Sequence, residues 1–182
     1  MQSEHDISRR KKDFEAAAEG AYPALVRAAT VLCWSRADAE DVVQETMLRA
    51  FKSYGAFRGD SSFFTWAYAI LARAAQAANQ AHTKCLPSDY ALSQPQQLPP
   101  VDWAVVLKED ARVLIDAIRS LPTRQREMVT LHFLEDLCYA EIAAALEVSV
   151  GTVKATIFEA RASLRSALAR KGIGRKASDV VP

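Results

Sequence analysis

A chain of 182 residues, half of them hydrophobic and only six of them glycine, is globular and long enough for one or two small buried cores. A net charge of +1 is low for a nucleic-acid binder, and no apolar run approaches the roughly 20 residues of a membrane span, so no membrane insertion is expected. Cys33, Cys85 and Cys138 make no disulfide framework, His5, His82 and His132 make no metal-ligand spacing, and no GxSxG, HExxH or phosphate-loop motif marks an enzyme; neither a metal nor a cofactor is expected.

The N-terminus is polar and charged and lacks an apolar signal core, which makes a soluble cytoplasmic protein the default expectation; residues 1–12 read as a flexible lead. Few Gly and Pro beside long Ala-rich runs favour helix over sheet. The expected fold is all-α, with two small helical domains joined by a Pro-rich linker. The first domain spans 13–85, with helices near 13–33, 36–53 and 61–82 and a loop at Tyr54–Asp60 that holds Gly55 and Gly59.

In the helix at 36–53, Val43, Met47, Ala50 and Phe51 recur at three- and four-residue steps and should face the core. Asp38, Asp41 and Glu45 recur on another side, with Gln44 beside them. Early acids also complement the helix dipole, and a solvated acidic face is the commoner fate of such a run. The next helix opens with Phe63, Phe64, Trp66 and Tyr68, and Phe57 sits in the loop before it. Trp66 and Tyr68 cannot both share the face of Phe63 and Ile70, so some aromatic surface is expected in solvent, where unstacked bases bind.

Composition shifts at 86–102, where Pro87, Pro95, Pro99 and Pro100 forbid regular helix; this is the expected linker. The second domain spans 103–170, with helices near 103–120, 123–134, 139–146 and 150–169, before a flexible C-terminus at 171–182. Leu121-Pro122 breaks the first of these helices from the second, with Thr123 expected as the cap. The last two helices break at Glu147-Val148-Ser149, where Ser149 is a natural N-cap. Ile142, Ala143 and Leu146 line one face of the shorter helix, and Val150, Val153, Ile157, Ala160 and Leu164 line the longer. A short helix, a tight turn and a longer helix form the helix-turn-helix that places a recognition helix in the DNA major groove. The same pattern also fits an ordinary helical hairpin whose outer side is merely solvated. Residues 150–182 carry seven Lys/Arg against Glu159 and Asp179, whereas Asp38, Glu40, Asp41 and Glu45 cluster in the first half. One basic end and one acidic helix suit two different partners.

The segments RADAEDVVQETMLRAF, AFRGDSSFFTWAYAI, a Pro-rich linker and LPTRQREMVTLHFLEDLCYAEIAAALEVSVGTVKATI occur in that order over about residues 13–170. Together they resemble a bacterial sigma factor of the extracytoplasmic-function type, group IV of the sigma-70 family. The resemblance implies a non-catalytic subunit that binds core RNA polymerase and directs promoter recognition and transcription initiation. It implies contacts to the β′ coiled coil and β flap of polymerase, to promoter DNA and to an anti-sigma factor. Asp41, Gln44, Glu45 and Leu48 match the polymerase-binding helix. Phe57, Arg58, Trp66, Tyr68, Arg73 and Gln76 match the loop and helix that recognise the −10 element, with Phe57 at the position that helps hold a flipped base. Ser149, Gly151, Thr152, Lys154, Ala155, Thr156, Phe158, Glu159, Arg161 and Arg165 match the reader of the −35 element.

The chain departs from the family at several of these positions. Ala69 and Gln76 stand where Arg and Lys are frequent, and Arg73 where Asn is frequent. GTVKATIFEAR replaces the common GTVKSRLxRAR, so that Thr156 and Glu159 take the places of basic residues. Fewer cations weaken the sequence-independent part of DNA binding. A sigma-like protein that binds an anti-sigma factor or polymerase without initiating transcription is the alternative, and a stand-alone helix-turn-helix regulator leaves the aromatic segment without a role. Cys138 stands where Ser is usual, with Glu141 placed to complete a capping box.

Overall fold

The computed structural model describes residues 2–85 and 109–170. The expected linker at 86–102, the start of the second domain and the segment 171–182 lie outside the described residues. Every regular element among the described residues is helical: α1 (Gln2–Leu32), α2 (Arg36–Ser53), α3 (Phe63–Cys85), α4 (Glu109–Arg119), α5 (Thr123–Val129), α6 (Tyr139–Ala145) and α7 (Val150–Arg170). A 3₁₀ turn at Tyr54–Ala56 follows α2, and a π-helical turn at Thr130–Leu134 follows α5.

α1 begins at Gln2, not after a flexible lead of 12 residues. Residues 2–12 contain neither Gly nor Pro, and their Arg, Lys and Glu are good helix formers, so nothing stops the helix from extending outward from its packed part. α2 starts at a capping box. The Asp38 amide donates to Ser35 Oγ at 3.1 Å and the Ser35 amide donates to Asp38 Oδ2 at 3.0 Å. Asp38 therefore holds a helix end, and the acidic face of α2 is shorter than its spacing suggests.

α1, α2 and α3 pack on one another through Phe14, Leu25, Val43, Ala50, Phe63 and Leu71, all buried. Ala18, Ala21, Ala28 and Ala29 line the inner side of α1, and their small side chains let the neighbouring helices approach closely. The helix-turn-helix forms as expected, with Val153 and Ile157 of α7 and Ile142 of α6 completely buried. Each such aliphatic side chain contributes roughly 1.5–3 kcal/mol.

The two halves do not keep separate cores. One buried cluster runs from Phe14 and Leu25 through Tyr68, Leu71 and Ala75 to Met128, Leu131, Ile142 and Ile157. A second joins Val31 of α1 to Ile118, Leu121, Val129 and Ala160. The first half thus buries the side of α3 that its own three helices leave uncovered against α5 and α6.

Polar groups fasten this seam. The buried Arg119 guanidinium donates to the carbonyls of Thr30 at 2.6 Å and Trp34 at 2.9 Å, at the C-terminal end of α1. Such an end carries partial negative charge, which a cation complements. Within the first half, Asn79 of α3 donates to the neighbouring Leu32 carbonyl at 2.7 Å. Arg27 binds Glu135 through two hydrogen bonds of 2.7 and 3.2 Å, and this pairing raises its already high pKa. Burial pushes the Cys33 thiol up to about 12 and lowers Arg126 to about 10.

Two local expectations fail. Pro122, not Thr123, occupies the N-cap of α5, and no side chain caps it; Thr123 is the first helical residue. The segment 123–134 is also not one α-helix, because its last five residues widen into a π turn before Asp136 reverses the chain at φ 52°. His132 Nδ1 lies 3.0 Å from the Leu137 carbonyl, which ties that reversal back onto the turn.

Candidate nucleic-acid interface

The recognition helix α7 is set by its turn. Glu147 takes the left-handed conformation at φ 54°, and the Val148 amide donates to the Ala143 carbonyl at 3.0 Å. These features make a Schellman-type helix end, usually built on Gly. The chain then enters α7 at Ser149, whose Oγ accepts from the Thr152 amide at 3.0 Å and lies 2.8 Å from its hydroxyl. On α6 the Cys138 amide donates to Glu141 Oε2 at 2.8 Å, which holds that carboxyl below its ordinary range.

With its inner face used by Val153, Ile157 and Ala160, α7 turns Ser149, Gly151, Thr152, Lys154, Ala155, Phe158, Glu159, Arg161 and Arg165 to solvent. Thr156 is half-buried. Phe158 is 76% exposed, the most exposed of the large apolar side chains among the described residues. Such exposure brings no packing gain in the free chain. Val150, expected in the core, is 40% exposed at the first turn of the helix. The Arg161 guanidinium lies 5.3 Å from the centroid of the Phe133 ring, a cation–π geometry that restrains the arginine on the outer face. A Cβ added at Gly151 would meet only Ser149 Oγ, at 3.6 Å, so packing within the chain does not demand glycine there.

The aromatic loop-helix junction forms a second surface. Phe57 stacks on Tyr54 at 5.9 Å and packs against Trp66 at 5.1 Å and Phe63 at 5.9 Å. Phe57 and Trp66 are both half-buried, so part of the cluster remains in solvent. Arg58 stands in solvent, paired with Asp60 at 3.1 Å across Gly59, which takes φ 75°.

Tyr68 differs from the sequence expectation of exposed aromatic surface. It is completely buried, and its hydroxyl donates to the Glu127 carbonyl of α5 at 3.4 Å; burial holds its pKa well above that of a free phenol. The second half covers Tyr68, whereas Phe57 and Trp66 keep part of their surface in solvent. Arg73 and Gln76 remain exposed along the same helix, and Arg73 pairs with Glu147 of the helix-turn-helix at 2.8 Å. A cleft of about 350 Å³ lies between them, with Ala69, Arg73 and Gln76 on one wall and Arg124, Glu127 and Glu147 on the other.

On α2, Asp41, Gln44 and Leu48 are exposed and Glu45 is half-buried, bonded to Arg49 at 2.6 Å. Leu48 is 49% exposed and Phe51 41% exposed, although Phe51 meets Phe14 edge-on at 5.2 Å. Phe51 was expected in the core. Its place three residues after Leu48 makes an apolar strip beside the acids, and that spacing was the available signal. Glu147 and Arg119 carried no sequence signal, because each acts on a group in the other half of the chain.

Two family models match the chain: Sigma-70 region 2 over residues 18–81 and Sigma-70 region 4 over residues 111–164. The chain is similar to the ECF RNA polymerase sigma-E factor of Haemophilus influenzae, with 35% identity over 137 residues that cover 70% of this chain and 72% of that protein. It is similar to the protein of the same name in Escherichia coli K12, at 34% over 144 residues with the same coverage. Among solved structures, it resembles the sigma factor RpoE in complex with the anti-sigma factor NepR from Bartonella quintana. That match has a TM-score of 0.69 and 25% identity and covers 87% of this chain and 98% of the other. The fold is also that of CnrH in complex with the cytosolic domain of CnrY, at a TM-score of 0.68 and 23% identity over 90% of this chain and 92% of the other. Helix-turn-helix, aromatic junction and acidic helix are thus those of one kind of molecule: the chain belongs to the extracytoplasmic-function sigma factors of the sigma-70 family, the polymerase subunits that direct promoter recognition and transcription initiation.

Proposed function

We propose that the three surfaces divide promoter recognition among them. Asp41, Gln44, Glu45 and Leu48 of α2 dock on the β′ coiled coil of core polymerase, and the exposed Phe51 extends that strip. Phe57, Arg58 and Trp66 hold the unstacked −10 strand, with Arg73 and Gln76 following its phosphates and Tyr68 joining them once it is uncovered. The outer face of α7 reads the −35 element while the β flap holds the second half in place. Arg161 and Lys154 supply cations, and Phe158 supplies an apolar surface of the kind that meets a thymine methyl. The bare backbone at Gly151 leaves room for a phosphate. An anti-sigma factor of the kind seen with the Bartonella quintana relative would cover these faces. The subunit contributes binding and no bond chemistry of its own.

The observation that carries this reading is the outer face of α7, nine exposed positions that do nothing for the core on a helix whose inner face is fully used. Reconstitution with core polymerase and a random promoter library is the test. Holoenzyme formation with enrichment of a two-part motif is the expected result, and the absence of both would overturn it.

A second reading rests on Glu159, an exposed acid in the middle of that face. Here the chain occupies polymerase or an anti-sigma factor without initiating. A nearly silent parent that is strongly activated by Thr156→Arg with Glu159→Arg would favour it, and a robustly active parent would dismiss it.

A further inference from the structure

We infer that Arg10, near the start of α1, is a phosphate-binding residue that extends the single-strand site beyond the Phe57 junction. The inference rests on the proposed assignment of that junction to the unstacked −10 strand. None of the family's motif segments includes Arg10, which falls in the stretch expected to be a flexible lead. Three observations carry it.

The first is its place. Arg10 precedes Phe14 by one turn of α1, so the two share a helix face. Phe14 is the buried centre of the aromatic junction, edge-on to Phe51, Tyr54 and Phe63 at 5.2, 5.4 and 5.7 Å. The Arg10 guanidinium lies over the turn at Tyr54–Ala56: a Cβ built at Gly55 would come within 2.9 Å of Nη2 and 3.1 Å of Cζ. Gly55 is not left-handed, so the close approach of this guanidinium, and not backbone conformation, makes glycine fit there. Two residues on, Phe57 stacks on Tyr54.

The second is the state of its charge. Arg10 is exposed, and among the described residues no carboxylate or carbonyl bonds to it. Other cations near the junction in sequence are engaged. Lys11 pairs with Glu15 at 3.8 Å, Arg49 with Glu45 at 2.6 Å and Arg58 with Asp60 at 3.1 Å. Arg10 thus holds an unspent set of donors in a fork that matches phosphate, on a stem already seated against the turn. Seating lowers the entropy lost when an anion binds.

The third is what stands beside it. Rings that stack on bases and cations that follow the backbone are the two parts of a single-strand site. Phe57 and Trp66 keep part of their surface in solvent and supply the rings. A strand with a base on Phe57 carries phosphates on either side of that base, and the guanidinium lies against Gly55, two residues before the ring. Lys12 carries the same charge about 200° round the helix from Arg10 and takes no part in this arrangement.

The test uses the holoenzyme and a forked fragment of a promoter that the wild type selects, duplex through the −35 element with one strand of the −10 element left single. Arg10→Gln removes the cation and keeps a good helix former at an exposed site. One neutralised phosphate adds about 0.7 to the slope of log affinity against log salt on a single strand, so this variant should lose about that slope and bind about fourfold more weakly at about 0.15 M salt. Arg10→Lys should retain the slope. Lys12→Gln should bind as the wild type does, and a duplex fragment ending upstream of the −10 element should not distinguish Arg10→Gln from wild type.

Equal losses from Arg10→Gln and Lys12→Gln would mean diffuse charge and overturn the inference. So would an Arg10→Gln variant that binds the fork normally, or that loses only affinity for core polymerase, which would make a polymerase carboxylate the partner. Phe57→Ala separates the two readings. Weakened fork binding there beside a normal Arg10→Gln keeps the junction assignment and removes Arg10 from it. A wild-type holoenzyme that gains nothing from the single-stranded arm strikes both.

Discussion

Arg119→Met tests how firmly the second half is clamped to the first. The side chain is 1% exposed, and its two ends reach the carbonyls of Thr30 and Trp34 at 2.6 and 2.9 Å. Methionine keeps the apolar stem and removes both donors. A hydrogen bond from a charged group contributes about 1.5–3 kcal/mol, so losing two would remove about 3–6 kcal/mol. Part of this returns, because a guanidinium no longer has to leave water. The expected net loss is about 3 kcal/mol, a large share of the roughly 5–15 kcal/mol that holds a domain of this kind together.

Urea unfolding followed by tryptophan emission reads it directly, since Trp34 lies at the clamp. With a slope of about 2 kcal/mol per molar, the midpoint should fall by about 1.5 M. Arg119→Lys, which can reach one carbonyl at a time, should fall between wild type and the methionine variant. A methionine variant unfolding within about 0.3 M of wild type, a difference below about 1 kcal/mol, would refute the reasoning. It would mean that the helix end is satisfied equally well without the guanidinium.

Other outcomes follow from the same geometry. Burial raises the pKa of Glu127 above 4.5 despite Arg124 and Arg126 nearby. The native state therefore binds this proton more tightly than the unfolded state, and ionisation erodes stability as pH rises above about 4.5. Glu127→Gln should accordingly be more stabilising at pH 7 than at pH 4 in paired unfolding curves, and an advantage that shrinks with rising pH would contradict the sign. Brief alkylation of the native protein should label exposed Cys138 and spare buried Cys33 until the chain unfolds, as peptide mass mapping would record. In the holoenzyme, Arg161→Ala should weaken promoter binding and lower the slope of log affinity against log salt by about 1, since it removes one phosphate-neutralising charge. An unchanged slope in a binding titration would mean that Arg161 serves the Phe133 ring alone.

Much of the fold was legible because its signals are local. The spacing of Val153, Ile157 and Ala160 predicts the buried side of α7, and the Ser149 hydroxyl predicts where that helix starts. The outward positions follow from the same period. Phe51 and Val150 went astray because each lies at the margin of a face, where period alone does not decide burial. Glu147 was read as a break, yet no residue type in the turn announced a left-handed conformation that Gly usually adopts.

By itself, then, the sequence determined which segments are helical, which faces are apolar and which family the motifs resemble, since helix period, capping and motif order act over a few residues. Only the tertiary structure decided that Tyr68 is covered by Glu127, that Arg73 is neutralised by Glu147 and that Arg119 caps a helix 85 residues or more upstream. Those contacts depend on how two amphipathic halves settle against each other. Their partners are far apart in the chain, and each side chain on its own looks like any other exposed or buried polar group.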